Sequence, residues 1–162
     1  MRFTHESVID APVDALDLAE WLFTLSDADY QAASRGHRAA GTFTENGVRG
    51  MVNVEAVGGA LMVQHYHEVT ASPARVEMWS ERTQAWLYHV IPTHFGVRWT
   101  MTATARTSDT TTFACTVELD LPAWLRAASA LIGTRYFLRK HVQEEAPNFA
   151  ADVSRKLKPL TR

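Results

Sequence analysis

The chain has little of what several classes of protein require. Cys115 is the only cysteine among its 162 residues, so no disulfide bond can form within the chain. The longest apolar stretches are too short to cross a bilayer, and Met1–Asp10 lacks the apolar segment of a signal peptide. We therefore expect a cytoplasmic protein with no membrane span, in which Cys115 is a buried thiol and not a nucleophile.

The chain also lacks a large excess of either positive or negative charge. Sixteen lysines and arginines face eighteen aspartates and glutamates, which gives a net charge of −2. Proteins that bind nucleic acid need a basic face, so we expect no nucleic-acid partner. The chain contains no Gly-x-Ser-x-Gly elbow, no phosphate-binding glycine loop and no His-Glu-x-x-His motif. We therefore predict neither a serine hydrolase of that type nor a cofactor.

What the sequence has is the composition of a globular domain. Hydrophobic residues make up 46% and charged residues 21% of the chain, which is ordinary for soluble proteins. A chain of this length can bury a substantial core. We predict one domain over residues 1–162.

The predicted elements place helices on both sides of a single block of strands. A strand at Phe3–Ile9 is followed by a helix at Val13–Leu25 and a second short helix at Ala28–Arg35, whose exit Gly36 and Gly41 mark. Alternating apolar residues and turn signals then predict six strands, of which the fourth is weak: Val48–Val57, Ala60–Thr70, Arg75–Arg82, Trp86–Ile91, Phe95–Arg106 and Thr111–Leu121.

A long helix is predicted to close the chain, from Ala123 to about Lys156. Gly133 and Pro147 fall inside its pattern, and each should kink or divide it. An antiparallel sheet with helices at both ends suggests an α+β fold, in which the sheet wraps around the C-terminal helix and leaves room for a ligand. The apolar stripe of this helix consists of Leu138, Val142, Ala146, Phe149, Val153 and Leu157.

Strand alternation predicts which side chains face that helix. We assign the more apolar set of each strand to the inner face: Leu61, Val63, His65, His67 and Val69; Val76, Met78, Ser80 and Arg82; Val97, Trp99, Met101 and Ala103; Phe113, Cys115, Val117 and Leu119. An apolar concave face with a few polar groups is typical of a small-molecule site. The alternative is that the polar members lie near strand ends and reach water, as Arg82 can beside its turn.

Three stretches resemble the START-like, or SRPBCC, superfamily, which includes birch-pollen-type allergens, lipid-transfer domains, and polyketide cyclases and aromatases. They are Asp10-Ala11-Pro12-Val13-Asp14, the strand from Val63 to Val69, and Leu121-Pro122 through Leu131-Ile132-Gly133 to the end of the chain, which is similar to the polyketide-cyclase-like branch. The resemblance implies a helix-grip fold: a curved antiparallel sheet around a long C-terminal helix, with two short helices after the first strand.

The resemblance also implies a function, the binding or carriage of a small hydrophobic ligand such as a lipid between sheet and helix. It transfers no catalytic residue, because the branches of the superfamily share none. Pro147 departs from the usually continuous family helix. The predicted ligand-binding residues are His65, His67, Met78, Arg82, Tyr88, Trp99, Met101, Cys115, Phe137 and His141.

Two further chemistries involve the histidines. His65 and His67, two apart on a strand, could hold a metal if His141, Glu144 or Glu145 supplied a third ligand, but no spacing supports this and we predict no metal site. A cyclase or aromatase could instead use the same two histidines, with Arg82 and Tyr88, for acid–base chemistry.

A third function remains open, interaction with a protein through the outer sheet face. Tyr66 and Trp79 are predicted to lie side by side on that face. Such a pair could be a dimer contact or a shielded cross-strand pair. The chain could therefore be a monomer or a homodimer.

Overall fold

One antiparallel sheet with a single covered face organises the molecule. The computed structural model describes residues 1–131 and 133–157. Seven strands in the described residues form the sheet in the order β1-β7-β6-β5-β4-β3-β2. They are β1 (Arg2–Ile9), β2 (His37–Glu45), β3 (Val48–Val57), β4 (Ala60–Ser72), β5 (Arg75–Leu87), β6 (Ile91–Ala105) and β7 (Thr111–Asp120).

The helices lie at both ends of this block of strands. A short 3₁₀ turn, Val13–Ala15, precedes α1 (Leu18–Phe23) and α2 (Asp27–Ala33). The side chains of Asp17 and Ser26 accept hydrogen bonds from the first turns of α1 and α2. The chain ends in α3 (Ala123–Leu131) and α4 (Thr134–Arg155).

Helix α4 packs its apolar stripe against the sheet. Phe149 is fully buried, and its ring lies 5.6 Å from that of Trp99 on β6 and 5.4 Å from that of Trp21 on α1. The indole of Trp21 donates a 2.8 Å hydrogen bond to Asp152 near the end of α4. The predicted fold class is confirmed: the chain has a helix-grip α+β fold. Among the described residues, no helix is long and apolar enough to cross a membrane.

The predicted break at Gly133 is confirmed, whereas the one at Pro147 is not. Gly133 precedes α4 with a φ of +70°, a conformation that suits glycine. Helix α4 then continues through Pro147 to Arg155. Of the turn quoted for the family resemblance, Ile132 lies outside the described residues.

Three predicted boundaries were wrong. The predicted helix Val13–Leu25 is the 3₁₀ turn followed by the shorter α1, and Gly41 lies within the unpredicted strand β2. Strand β2 lies at an edge and buries little beyond His37, so it carries no alternation to detect. The predicted weak strand Trp86–Ile91 spans the end of β5, a turn in which Tyr88 and His89 have positive φ, and the start of β6.

The predicted face of β4 is inverted. Met62, Gln64 and Tyr66 are buried toward α4, whereas His65 is exposed and His67 half-buried on the outer face. Both faces of β4 carry apolar residues, so alternation alone does not identify the inner one. Its inner residues pair across the sheet with the buried β3 residues Met51, Asn53 and Glu55, two of which are polar.

The inner faces predicted for β6 and β7 are confirmed, although Val117 is only half-buried. On β5, Val76, Met78 and Ser80 are buried as predicted. Arg82 is exposed, because the pairing of β5 with β6 shifts between Ser80 and Thr83 and turns Thr83 inward instead.

The aromatic pair predicted on the outer face does not form. Tyr66 is buried on the inner face, with its ring 5.9 Å from that of Trp99. Trp79 lies half-buried on the other face, beneath the guanidinium of Arg98. The basis for a protein-binding patch made by Tyr66 and Trp79 is therefore lost.

Candidate functional site

A buried cluster of charged side chains lies where α4 crosses β3 and the start of β2. It consists of His37 at the start of β2, Glu55 on β3, and His141 and Glu145 on α4. His141 and Glu145 are one helical turn apart, so they project side by side toward the sheet. All four are buried, which is uncommon for charged groups unless they are paired. We call this group the His–Glu cluster.

Nε2 of each imidazole ring lies close to both carboxylates. Nε2 of His141 lies 3.4 Å from Oε2 of Glu145 and 3.5 Å from Oε2 of Glu55. Nε2 of His37 lies 3.3 Å from Oε2 of Glu145 and 3.9 Å from Oε1 of Glu55. The four side chains therefore surround one small region of space.

Buried groups next to the His–Glu cluster fix the positions of its side chains. The hydroxyl of Tyr30 donates a 2.5 Å hydrogen bond to Oε1 of Glu55, and Nδ1 of His37 lies 2.6 Å from the carbonyl oxygen of Tyr30. Nδ1 of His141 lies 3.2 Å from the hydroxyl of Ser34. The rings of Tyr30 and His37 stack with centroids 3.9 Å apart, which fixes the plane of His37.

Cys115 completes the surroundings from β7. Its thiol lies 3.5 Å from Oε1 of Glu145, and the indole of Trp99 donates to its sulfur at 3.3 Å. Burial raises the pKa of the Cys115 thiol well above its usual range, and the charge of Glu145 raises it further. Cys115 is therefore a neutral hydrogen-bond donor and an unreactive thiol, in keeping with the sequence-based expectation.

Mutual attraction keeps the cluster ionised. Burial alone raises the pKa of the Glu145 and Glu55 carboxyls, but the charge and hydrogen bonds of His141 outweigh it and lower both pKa values. Burial lowers the pKa of His141, but the two carboxylates raise it to about 11. A protonated His141 between two carboxylates is the charge state that these shifts describe.

An apolar cavity leads toward the cluster. It has a volume of about 50 Å³ and lies between the β3–β4 turn and the start of α4. Ala60, Met62 and Leu125 line it, and Phe137 and Tyr88 stand at its mouth, 42% and 61% exposed.

A second, deeper cavity of about 10 Å³ reaches the His–Glu cluster itself. Glu55, His141 and Glu145 form part of its wall. It shares Met62, Leu119 and Leu138 with the apolar cavity, so the two are neighbours. We call the two neighbouring cavities together the path; the outer cavity is mostly apolar, and the inner one has polar side chains in its wall.

The predicted site residues fall into three groups. Trp99, Cys115 and His141 surround the polar end of the path, and Phe137 and Tyr88 stand at its mouth. Met78 and Met101 are fully buried in the core, away from both cavities. The remaining three, His65, His67 and Arg82, line a shallow depression on the outer face.

The prediction that His65 and His67 face α4 was therefore wrong. Their rings lie 5.7 Å apart on the outer face, and His67 approaches Glu45 at 3.5 Å. His141 cannot join them in a metal site, because it lies on the opposite side of the sheet.

Sequence reasoning missed Tyr30, His37 and Glu55. His141 and Glu145 carry a visible signal, since their spacing of four places both on one helix face. His37 and Glu55 carry none, because His37 lies on the unpredicted strand β2 and no face is assigned to the residues of Val48–Val57. Only the pairing of β2 with β3, in which His37 lies opposite Glu55, brings them together.

No protein-family model matches the chain. No curated protein matches it in sequence. Among solved structures, the Zhui aromatase/cyclase from Streptomyces sp. R1128 is similar with a TM-score of 0.66 and 10% identity, over 99% of this chain and 98% of that one.

Two further structures show the same likeness. The TTHA0849 protein from Thermus thermophilus aligns with a TM-score of 0.65 and 12% identity, over 94% of this chain and 97% of that one. A START superfamily protein from Mycobacterium smegmatis aligns with a TM-score of 0.51 and 13% identity, over 99% of both chains. At the level of the fold, these structures confirm the resemblance to START-like proteins and to aromatase/cyclases: this chain has their helix-grip fold.

Proposed function

We propose that the chain binds a small, mostly apolar ligand along the path between the sheet and α4. The observation that carries the proposal is the adjacency of the two cavities, since an apolar one near the surface shares three lining residues with one that reaches the buried His–Glu cluster. Ligand sites in proteins combine mostly apolar walls with a few placed polar groups in this way. The similar structures that are named START proteins and aromatase/cyclases support the same reading.

The inner end of the path offers both donors and acceptors. His141 and Glu145 supply a charged pair, and Gln64 supplies an amide. Oε1 of Gln64 is buried and accepts no hydrogen bond from any described residue. Burying an acceptor without a donor costs free energy. A hydroxyl group on the ligand would supply the missing donor. We therefore infer a ligand with a polar group at its leading end.

The size of the cavity sets a condition on binding. Ligand pockets usually have volumes of about 300–1,000 Å³, whereas the apolar cavity has about 50 Å³. Phe137 packs against the backbone at Gly58 and closes the mouth. It is 42% exposed, so swinging into water uncovers the buried remainder of the ring, a cost that a ligand covering the same apolar wall would offset. Ligand entry therefore requires Phe137 to move outward.

Ligand binding can be tested with a matched pair of substitutions on β4. Ala60 lines the cavity, whereas its neighbour Leu61 is half-buried on the other face of the strand. We expect Ala60→Trp to fill the mouth and weaken binding of an aromatic fluorescent probe, anilinonaphthalene sulfonate, by at least about tenfold. Leu61→Trp should leave the affinity unchanged. Equal affinities in the two variants, or no binding by the wild-type chain, contradict the proposal.

A second candidate function is acid–base catalysis of a cyclisation or dehydration. The specific observation in its favour is a buried His141 in the wall of the cavity, 3.4 Å from Glu145 and 3.5 Å from Glu55, whose carboxylates raise the pKa of its imidazole. A protonated imidazole can polarise a carbonyl group of a ligand, and the apolar walls can hold the ligand folded. His65 and His67 have no place in this chemistry, because they lie on the outer face.

Ligand binding and acid–base catalysis assign different roles to His141. A short poly-β-ketone offered as substrate, followed by the absorbance of an aromatic product, would report turnover. If the chain is an enzyme of this kind, His141→Gln should lower turnover by at least about a hundredfold while probe binding persists. The control variant His65→Gln/His67→Gln should react like the wild type. Equal turnover by both variants excludes a catalytic role for His141.

A further inference from the structure

We propose that the His–Glu cluster is a binding site for a divalent transition-metal ion, best matched by Zn²⁺. His37, His141, Glu55 and Glu145 would supply the ligand atoms. The inference goes beyond ligand binding and does not rest on it, because it is argued from the geometry of these four side chains alone.

The hydrogen bonding of His37 is the first observation. Its Nδ1 lies 2.6 Å from a backbone carbonyl, which can only accept, so Nδ1 carries a proton. In the neutral ring Nε2 then bears a lone pair. Nε2 lies 3.3 Å from Oε2 of Glu145 but makes no hydrogen bond with any described residue, so this buried nitrogen has no partner. The side chain of His37 has no exposed surface, so solvent does not satisfy it.

A buried nitrogen without a partner is costly, and this one lies close to the oxygens of two carboxylates. A proton on Nε2 would not remove the cost, because the N–H would be buried without a hydrogen bond. A metal ion placed among the nitrogen and the carboxylate oxygens satisfies them at the same time. Metal-bound histidines commonly have this arrangement, with Nε2 on the metal and Nδ1 donating to a carbonyl.

The spacing of the ligand atoms is the second observation. Nitrogen and oxygen ligands of zinc lie about 2.0–2.2 Å from the ion, which places any two corners of the tetrahedron about 3.3–3.6 Å apart. Three of the four N–O distances in the cluster are 3.3, 3.4 and 3.5 Å, and the fourth, between His37 and Glu55, is 3.9 Å and would shorten on binding. Ligand atoms of His37, Glu55 and His141 all lie within 4.8 Å of one another. An octahedral site would bring adjacent ligands to about 3.0 Å, a poorer match.

The charges are the third observation. Two carboxylates and two neutral imidazoles carry a charge of −2, which one divalent ion neutralises. Because burying unbalanced charge is costly, a neutral set is the favourable one in this water-poor interior.

A second layer of hydrogen bonds already orients the ligands. Tyr30 donates to Glu55, the thiol of Cys115 approaches the far oxygen of Glu145, and Ser34 meets Nδ1 of His141. Such outer contacts fix ring planes and carboxylate rotamers in metal sites. Three of the four ligands line the deeper cavity.

The test is a titration of the chelator-treated, full-length chain with Zn²⁺ alone. We expect one equivalent to bind and to raise the unfolding midpoint in proportion to the logarithm of the metal concentration. Glu145→Gln and His37→Gln/His141→Gln should each weaken binding by more than about tenfold. The matched control, His65→Gln/His67→Gln, removes the other histidine pair and should bind zinc as tightly as the wild type.

A spectroscopic measurement guards against variants that fail to fold. Co²⁺ added to the wild-type chain should give the intense visible bands of tetrahedral nitrogen and oxygen coordination, at one equivalent and displaced by Zn²⁺. Absence of zinc binding by the wild-type chain overturns the proposal. Binding that survives in the cluster variants but disappears in the outer-face control overturns it as well, because the outer histidines would then be the site.

Discussion

At the scale of single residues, the site depends on a few side chains that are held by their neighbours. His37 is the clearest case, since stacking on Tyr30 and a contact with its carbonyl oxygen leave the ring no freedom to turn. Glu55 is held in a similar way, between the hydroxyl of Tyr30 and Nε2 of His141. A side chain outside the cavities therefore positions two members of the His–Glu cluster.

Loss of the Tyr30 hydroxyl should weaken the fold measurably. Tyr30→Phe keeps the stacked ring but removes the only hydroxyl that donates to Oε1 of Glu55 among the described residues. A buried carboxylate oxygen without its donor destabilises the fold, so we expect the free energy of unfolding to fall by about 1–3 kcal/mol. Urea unfolding followed by tryptophan fluorescence measures this.

The control for Tyr30→Phe is Tyr136→Phe at an exposed position on α4, where the change should be within about 0.5 kcal/mol. Similar losses in both variants would show that the Tyr30 hydroxyl contributes nothing particular.

The same residues show what the sequence could not predict. The spacing of His141 and Glu145 is local, so a helical wheel displays it. The partners His37 and Glu55 lie on strands far earlier in the chain, and no local pattern marks a polar residue that turns inward. Alternation also favoured the wrong face of β4, because its inner residues Gln64 and Tyr66 are no more apolar than their outer neighbours. Pairing partners, and not hydropathy, decide such faces.

At the scale of elements, the two helical regions are joined by a charged contact at the molecular surface. Asp29 in the first turn of α2 accepts from Lys156 at 2.8 Å and from Arg155 at 2.9 Å, both at the end of α4. Arg155 and Lys156 also meet Asp152, which accepts from the indole of Trp21 on α1. This group ties both early helices to the last turn of α4.

The stabilising effect of this contact should depend on pH. Hydrogen bonds from Lys156, Ser26 and Arg155 hold the pKa of Asp29 well below its ordinary value of 3.8. The unfolded chain therefore binds this proton more tightly than the folded one. The contribution of Asp29 to stability is fully present above about pH 3.8 and is lost as the pH falls through the lower, folded-state pKa.

Urea midpoints measured at about pH 6 and about pH 3 check this expectation. Asp29→Asn should be less stable than the wild type at the higher pH, and the difference should shrink at the lower one. The effect should be modest, because the contact is solvent-exposed. Asp14→Asn, on the 3₁₀ turn, is the control. A difference between Asp29→Asn and wild type that stays constant with pH contradicts the assigned role.

Elements were easier to predict than the site. The long hairpins β3–β4 and β6–β7 follow the predicted strands closely, since burial on one face and a turn between the strands leave a period in the sequence. The edge strand β2 has no such period in its sequence, because most of its side chains face solvent. Pro147 was predicted to interrupt α4, but tertiary packing on the fully buried Ala146 and Phe149 carries the helix past it.

At the scale of the whole molecule, the sheet is an open one whose two edges are β1 and β2. Strand β1 pairs with β7, the last of the seven strands in the sequence. Thr4, for example, lies opposite Thr116. The hydrogen bond from Trp21 to Asp152 joins residues 131 positions apart, and the contact of Ser34 with His141 joins residues 107 apart. Near neighbours in space are thus often distant in sequence.

This arrangement determines the order of events when the chain folds during its synthesis. Strand β1 has no partner until β7 has left the ribosome, and the four side chains of the His–Glu cluster cannot meet before α4 exists. Distant pairings of this kind slow folding, so refolding followed by stopped-flow tryptophan fluorescence should take milliseconds to seconds, not microseconds. A microsecond phase that recovers the full signal would contradict this expectation. Until the last quarter of the chain is made, the part of the inner face that α4 covers stays open, and only the short early helices can pack on the growing sheet.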